Sequence, residues 1–336
     1  MRLALIALPS EIRPYIRCIF SLEDVRWIGF GGYPYSFPYI CPSGEEGNLD
    51  RKAVYFDSVD ALMDAADLVL VAGHRKDRFG YISKALRKGK AVWSIGPVCE
   101  TWEETAKLAS LAQEARVCNQ VFHADRETSL LRVALPYMNG VGLMRFDVAC
   151  TPGSMLNADW ESSLLFPAFD TALALGNASV RKMKVRSASS MGVFPADAVV
   201  DIEFMSGMEA FLWMDRLAGM RRFSAIAVAA EQVVRMDFLK GCLEIQKEPG
   251  NRGIECRGHG PAGGQGQEKA ALSSHRKTVR AGMIRVGREI SPARPLSDNI
   301  HSFVQAVRSG IRSRFGFLQS SEVQERFTQL KRSLYA

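Results

Sequence analysis

Two apolar runs separated by a polar stretch constrain this chain more than any other feature. They are Asp67-Leu-Val-Leu-Val-Ala-Gly-His74 and, after it, Gly89-Lys90-Ala-Val-Trp-Ser-Ile-Gly96-Pro97-Val-Cys-Glu-Thr101. Strand-length runs without polar interruption belong to strands covered on both faces, as in a parallel sheet sandwiched between helices. The segment between them carries an amphipathic helix over Phe79 to Arg87, and Pro97 ends the second strand in a turn that opens the next helix. Strand, helix, strand and turn in this order are the rhythm of an open α/β sheet.

The rhythm extends in both directions. Residues 2–8 are a short apolar run ended by Pro9-Ser10, and a helix follows from Glu11 to Leu22. Val25 to Phe30 is a second strand that ends in Gly31-Gly32 before an aromatic loop, Tyr33 to Tyr39. Ala53 to Phe56 is a third, with Ser58 as N-cap of a helix over Val59 to Ala66. Thr101-Trp-Glu-Glu104 is a capping box for a helix to Glu114, and Val117 to Phe122 is the sixth strand. Such a doubly wound, Rossmann-like parallel sheet binds ligands beyond the carboxyl ends of its strands.

After Arg126 the pattern changes to a helix, Ser129 to Met138, and then long strands: Leu143 to Cys150, Val180 to Ser187, Ala198 to Phe204, Glu209 to Met214, Phe223 to Ala230 and Leu243 to Gln246. One helix, Leu165 to Leu175, lies among them, so an α+β domain with a mostly antiparallel sheet is expected. Gly253 to Gly266 holds six glycines that follow no strand and open no helix, which reads as a surface loop and not a phosphate cradle. Ile300, Phe303, Val304 and Val307 have helical spacing, with Ser297 as N-cap and Gly310 past the end, and a final helix runs from Ser321 to Leu334. The expected domains are residues 1–126, residues 127–294, and C-terminal helices over residues 295–336 that return towards the first domain.

Composition supports two sizeable cores: 336 residues, 47% apolar and 24% charged. No apolar run reaches the roughly eighteen residues of a membrane span, and the N-terminus is no secretory leader, so a cytoplasmic protein is expected. Seven cysteines include no Cys-x-x-Cys pair, which argues against a disulfide framework and a zinc site and reads as reduced thiols, mostly buried. Of the net charge of +7, the segment from residue 270 onward holds twelve basic residues against four acidic ones. These charges are spread over strand and helix patterns, read as solvated faces, and make nucleic acid an unexpected partner.

Gly89, Lys90, Val92 and Pro97 resemble the Gly-Lys-x-Val-x-x-Glu-Lys-Pro segment of the Gfo/Idh/MocA oxidoreductases, which are sugar and cyclitol dehydrogenases. Further resemblances are Val121-Phe-His-Ala-Asp-Arg126 to the family's sixth strand, Asn139-Gly-Val-Gly142 to its step into the second domain, and Phe169-Asp170 through Gly176 to the helix that reads His-x-x-Asp. The resemblance implies NAD(P) as cofactor, with residues Leu8, Pro9, Ser10, His74, Gly96 and Pro97 at the cofactor-contacting positions. It also implies a catalytic Lys at Gly96, a His at Pro167 and an Asp at Ser163, and this chain has none of the three.

The residues at those positions are ill suited to the chemistry. A dinucleotide needs glycines after the first strand so that backbone amides can approach the pyrophosphate, and Ala7-Leu8-Pro9-Ser10 has none. An acid for the adenine ribose is missing after Gly31-Gly32. The substitutes for a proton-transfer group are His123 with Asp125, two apart beyond the sixth strand, and His74. Tyr33, Tyr35 and Tyr39 cluster in one loop at the ligand edge and are expected either to offer rings and hydroxyls to a ligand or to form an oligomer contact. Lys90 precedes the fifth strand and lies at the wrong end.

Three functions are consistent with this pattern. The first is a homologue that has lost or weakened hydride transfer and binds a small molecule or partner; the second is an active NAD(P)-dependent oxidoreductase of divergent mechanism on a sugar-like hydroxy or keto substrate. The third is a non-catalytic structural or regulatory subunit. A homo-oligomer is expected through the open face of the second sheet, and Gly96→Lys is expected to be tolerated at the end of its strand.

Overall fold

The computed structural model describes residues 1–8, 11–22, 25–33, 55–149, 161–191, 194–215, 218–247, 277–280, 283–286, 293–313 and 315–335. The chain divides into two compact units, Met1–Glu127 with Ser291–Gln329, and Thr128–Ile290 with Leu330–Ala336. The expected Gly253 to Gly266 loop, Tyr35 and Tyr39 lie outside the described residues.

Unit one is built on six parallel strands: β1 (Arg2–Ile6), β2 (Arg26–Gly31), β3 (Tyr55–Phe56), β4 (Leu68–Val71), β5 (Ala91–Ile95) and β6 (Asn119–Phe122), in the order β3-β2-β1-β4-β5-β6. Helices α1 (Ile12–Phe20), α2 (Val59–Ala65), α3 (Arg75–Arg87) and α4 (Trp102–Glu114) connect them. Side chains alternate along each strand, so one sheet feeds two cores. Leu3, Leu5, Leu68, Leu70 and Trp93 meet Ile12, Tyr15 and Ile19 of α1 on one face. Ala4, Ile6, Val69, Val71 and Val92 meet Leu62, Ile82, Leu86 and Leu108 on the other. Each Leu, Ile or Val side chain removed from water here contributes about 1.5–3 kcal/mol.

The first face is finished by α7 (Ala293–Ser309), whose Leu296, Ile300, Phe303 and Val304 join that core. Ser297 is therefore inside the helix and is not its N-cap; Pro295 sits in the first turn, where its missing N–H breaks no helical bond. Gly310 follows the helix at φ 63°, as its place in the sequence suggests. A buried polar knot fixes α7: Trp93 Nε1 donates to Asn299 Oδ1 at 2.7 Å, and Gln120 Nε2 donates to the same oxygen and to the Asn299 carbonyl, each at 2.9 Å. The last helix, α8 (Phe317–Leu334), starts a turn earlier than its polar sequence indicates, because Phe317 anchors it in the second core and its backbone N–H is taken by Asn119 Oδ1 at 2.7 Å.

Unit two begins with α5 (Ser129–Ala134), which Pro136 converts to a short 3₁₀ turn, Leu135–Tyr137, so the expected longer helix is cut. Nine strands follow: β7 (Val141–Ala149), β8 (Val180–Met191), β9 (Phe194–Phe204), β10 (Glu209–Asp215), β11 (Arg222–Ala229), β12 (Gln232–Asp237), β13 (Cys242–Lys247), β14 (Lys277–Arg280) and β15 (Met283–Val286). Their order is β14-β15-β13-β12-β11-β7-β10-β9-β8, antiparallel at every pairing except β7 with β10. Helix α6 (Phe166–Gly176) buries Phe169, Ala172 and Leu175 against β7 and β10. Phe146, Val200, Ile202, Leu212 and Met214 are buried with them, each one residue away along its strand from a neighbour on the other face. That other face exposes Leu143, Trp213 and Val228 among charged residues.

The polar knot at Asn299 predicts a measurable cost. Asn299→Ala leaves the Trp93 N–H without an acceptor and halves the acceptors of the Gln120 amide, both away from water. Urea unfolding is expected to give a loss of about 2 kcal/mol or more, and a change within experimental error would show that the knot is energetically idle.

Candidate functional site

The carboxyl edge of the parallel sheet is where a fold of this order holds ligands, and here each strand end can be traced in turn. Strand β1 passes into Ala7 and Leu8, whose carbonyl accepts the Glu11 N–H at 2.9 Å. Pro9 and Ser10 lie outside the described residues. At the end of β2, a Cβ on Gly31 would lie 2.7 Å from the Phe56 carbonyl oxygen. Gly32 has φ 97°, and a Cβ there would lie 2.6 Å from Ile6. The glycine pair is thus required for packing and turn geometry.

Tyr33 turns back across the edge. Its ring lies on Gly73, just past β4, where any Cβ would overlap it. With the strands ordered β2, β1, β4, the ring bridges over the end of β1. It meets His74 and Tyr81 edge-on at 5.7 and 5.9 Å between centroids, and Tyr81 Oη donates to the Gly32 carbonyl. The Tyr33 hydroxyl is sealed from solvent without a hydrogen bond. Burial, and then the nearby charge of Asp77, push its pKa up. His74 precedes α3 as an exposed residue whose side chain caps nothing.

Strand β5 ends at Gly96, and the Gly96–Pro97 peptide bond is cis. A Cβ on Gly96 would overlap the imidazole of His123. His123 is buried; its Nε2 is 3.2 Å from Ser320 Oγ, and its ring meets Phe315 edge-on at 5.0 Å. Arg126 lies over the Phe315 ring at 4.4 Å. Strand β6 stops at Phe122, so His123 and Asp125 are not consecutive same-face residues of a strand; Asp125 lies in the turn after it. The expectation that Gly96→Lys is tolerated is corrected by the same geometry. Gly96 is not among the residues of positive φ, and the obstacle is the imidazole that fills the space.

Between the two ring-covered glycines runs a side chain that no sequence motif singles out. Arg78, in the first turn of α3, donates from Nε to the Gly73 carbonyl at 2.7 Å and from Nη1 to the carbonyls of Ile95 and Pro97, each at 2.9 Å. Arg75 binds the carbonyls of Cys99 and Glu100 at 2.6 and 3.0 Å. The one signal in the sequence is charge: three cations and one acid stand in the first turn of a helix, where the macrodipole disfavours cations. Lys90 is structural and at the opposite edge, its Nζ donating to the Ala66 carbonyl at 2.7 Å. In unit two, Pro167 occupies the first turn of α6 and Asp170 is buried along the same helix. Among the described residues no three His, Cys, Asp or Glu side chains are placed to hold a metal ion, and no helix is long and apolar enough to cross a membrane.

No family model matches the chain, and no curated protein matches it by sequence. Solved structures do match. UDP-N-acetylglucosamine 3-dehydrogenase GnnA from Acidithiobacillus ferrooxidans superposes with a TM-score of 0.72 at 15% identity over 100% of this chain and 98% of that one. The dehydrogenase MviM from Clostridium difficile gives 0.73 at 14% identity, covering 99% of each chain. Levoglucosan dehydrogenase, solved with NADH, gives 0.72 at 11% identity over 99% of this chain and 96% of that one. The chain has the Gfo/Idh/MocA-type dehydrogenase fold. The resemblance read from Gly89 to Pro97 is borne out at the level of the fold.

The His123 packing can be tested by pairing two substitutions. Gly96→Lys alone is expected to destabilise by about 1–3 kcal/mol through overpacking. Gly96→Lys with His123→Ala is expected to be more stable than the two separate losses imply. Strict additivity in thermal or urea unfolding would mean that the ring does not occupy the site of that side chain in solution.

Proposed function

We propose that this chain is a dehydrogenase-fold protein whose hydride-transfer chemistry is lost or weak, and that it binds a small ligand or a partner in place of a dinucleotide. The observation that carries this reading is the filling of the carboxyl edge by the chain's own rings, Tyr33 over Gly73 and His123 over Gly96. NAD(P), the cofactor implied by the fold, does not fit these residues: Tyr33 bridges the end of β1, and the turn after β1 offers no glycine for backbone contact with a pyrophosphate.

The second reading, an active oxidoreductase of divergent mechanism, is favoured by one fact. The His123 imidazole occupies the space next to Gly96, the position at which the resemblance puts the catalytic Lys. Its burial and its contact with Ser320 favour a packing role. Calorimetric titration with NAD, NADH, NADP and NADPH separates the two. Losing two amide contacts to a charged group, at about 1.5–3 kcal/mol each, raises the dissociation constant a hundredfold or more. No saturation below about 10 µM is expected on that arithmetic. Tight binding, with turnover of a sugar or cyclitol that disappears in His123→Ala, would replace the first reading with the second.

A second copy of the chain is the partner this reading favours, with no membrane, nucleic acid not expected, and the cytoplasm as its place. The open face of the second sheet exposes Leu143, Trp213 and Val228, with the Arg145 guanidinium 5.0 Å over the Trp213 ring. Light scattering is expected to give at least twice 37.2 kDa at micromolar concentration. Trp213→Asp is expected to lower that mass, since it places a charge in a face to be desolvated; a monomer in both proteins would refute the oligomer.

A further inference from the structure

At the carboxyl edge of the parallel sheet Arg78 carries a charge that no carboxylate among the described residues balances. All three of its hydrogen bonds go to backbone carbonyls, and among the described residues no carboxylate pairs with it. Its Nη2 makes no hydrogen bond and is not sealed from solvent. Carbonyls satisfy N–H groups but leave the net charge in place, and a poorly solvated cation is costly unless an anion accompanies it.

The surroundings add charge of the same sign. Burial lowers the pKa of Arg78, and Arg75 lowers it further. Lys76 and the positive end of the thirteen-residue helix α3 stand beside them. The one acid of that turn, Asp77, acts on Tyr33 and Tyr81 and forms no ion pair with Arg78. The buried, unpartnered Tyr33 hydroxyl lies against Gly73, whose carbonyl Arg78 holds. A cation with a spare nitrogen and a buried hydroxyl that makes no hydrogen bond of good geometry, with Asp77 near it, thus share one strand end. Clasping the β4 and β5 ends needs only Nε and Nη1, so the third nitrogen is left over from that task.

We propose that the carboxyl ends of β4 and β5 bind a small oxyanion, the carboxylate or phosphate group of a small molecule, with Arg78 Nη2 as charged anchor and the Tyr33 hydroxyl as second donor. This rests on the reading that the chain takes a small ligand in place of a dinucleotide, and it names that ligand's chemistry. One free nitrogen grips one oxygen, and the rings over Gly73 and Gly96 confine the remainder of the ligand to a compact body.

The test uses the full chain titrated at constant ionic strength with sodium phosphate and with sodium acetate, sodium chloride being the control. The readouts are the Arg78 Nε–H resonance and the melting temperature. One of the two oxyanions is expected to shift both, half-saturating at about 1 mM or below, and chloride is expected to shift neither; which oxyanion acts tells phosphate from carboxylate. Arg78→Lys, which loses the planar fork, is expected to weaken the response about tenfold or more. Because Arg78 also clasps three carbonyls, Tyr33→Phe is the safer variant. It is expected to keep or raise the anion-free melting temperature and to weaken anion binding several-fold. Equal responses to all three salts, or identical titrations of wild type and Tyr33→Phe, would overturn the site. Micromolar NADH that displaces the oxyanion overturns the closed-crevice reading and leaves Arg78 as an anion anchor. No response to oxyanion or dinucleotide overturns the Arg78 site and leaves the closed crevice standing.

Discussion

A parallel sheet has no face that can be left to water, because its strands are apolar on both sides. In unit one this requirement decides nearly everything else. Leu3 and Leu5 point one way from β1 while Ala4 and Ile6 point the other, and each set needs a layer of helix. The helices between strands supply most of one layer, to which α8 adds Phe317. The other is finished by α7, whose Ile300, Phe303 and Val304 lie in the core around Trp93. With both faces occupied among the described residues, the strand ends of this unit are the place for a ligand.

At those ends small residues make room, and the question is what enters the room. Glycine beyond a strand of such a sheet commonly admits a ligand's phosphates. In this chain Gly73 and Gly96 admit Tyr33 and His123. The same permissiveness therefore serves self-packing. A fold shared at 11–15% identity with dehydrogenases leaves activity to the side chains at the strand ends, because one scaffold hosts many functions.

Both sheets were legible in the sequence because periodicity reports burial. The runs around Leu70 and Trp93 named parallel strands, and Thr101 with Glu104 closes the capping box they spell. Less legible were elements held by tertiary contacts. Strand β12 has three apolar residues in six, β14 is short and basic, and β15 is only four residues long, so pairing with neighbours and not pattern defines them. The first turn of α3 is polar because it lies over the strand ends, and a search for apolar spacing starts that helix at Phe79 instead of Arg75. Missing glycines and a missing lysine were readable, being local identities. That rings lie on Gly73 and Gly96 was not readable, since Tyr33 and Gly73 are forty residues apart in sequence, and neither is unusual alone. Arg78 was hidden for the same reason: its partners are carbonyls, which no sequence displays.

The return of α7 has a consequence for how the protein is made. Trp93 and Asn299 are 206 residues apart, and the core they share draws on both ends of the chain. During synthesis the ribosome releases residues 1–127 long before residues 291–329 exist, so the sheet emerges with one apolar face incompletely covered. Residues 128–290 must be translated before that face is sealed, at about 5–20 residues per second. For that interval, on the order of ten seconds at that rate, the nascent chain presents an apolar surface to the cell and is a natural client for chaperones.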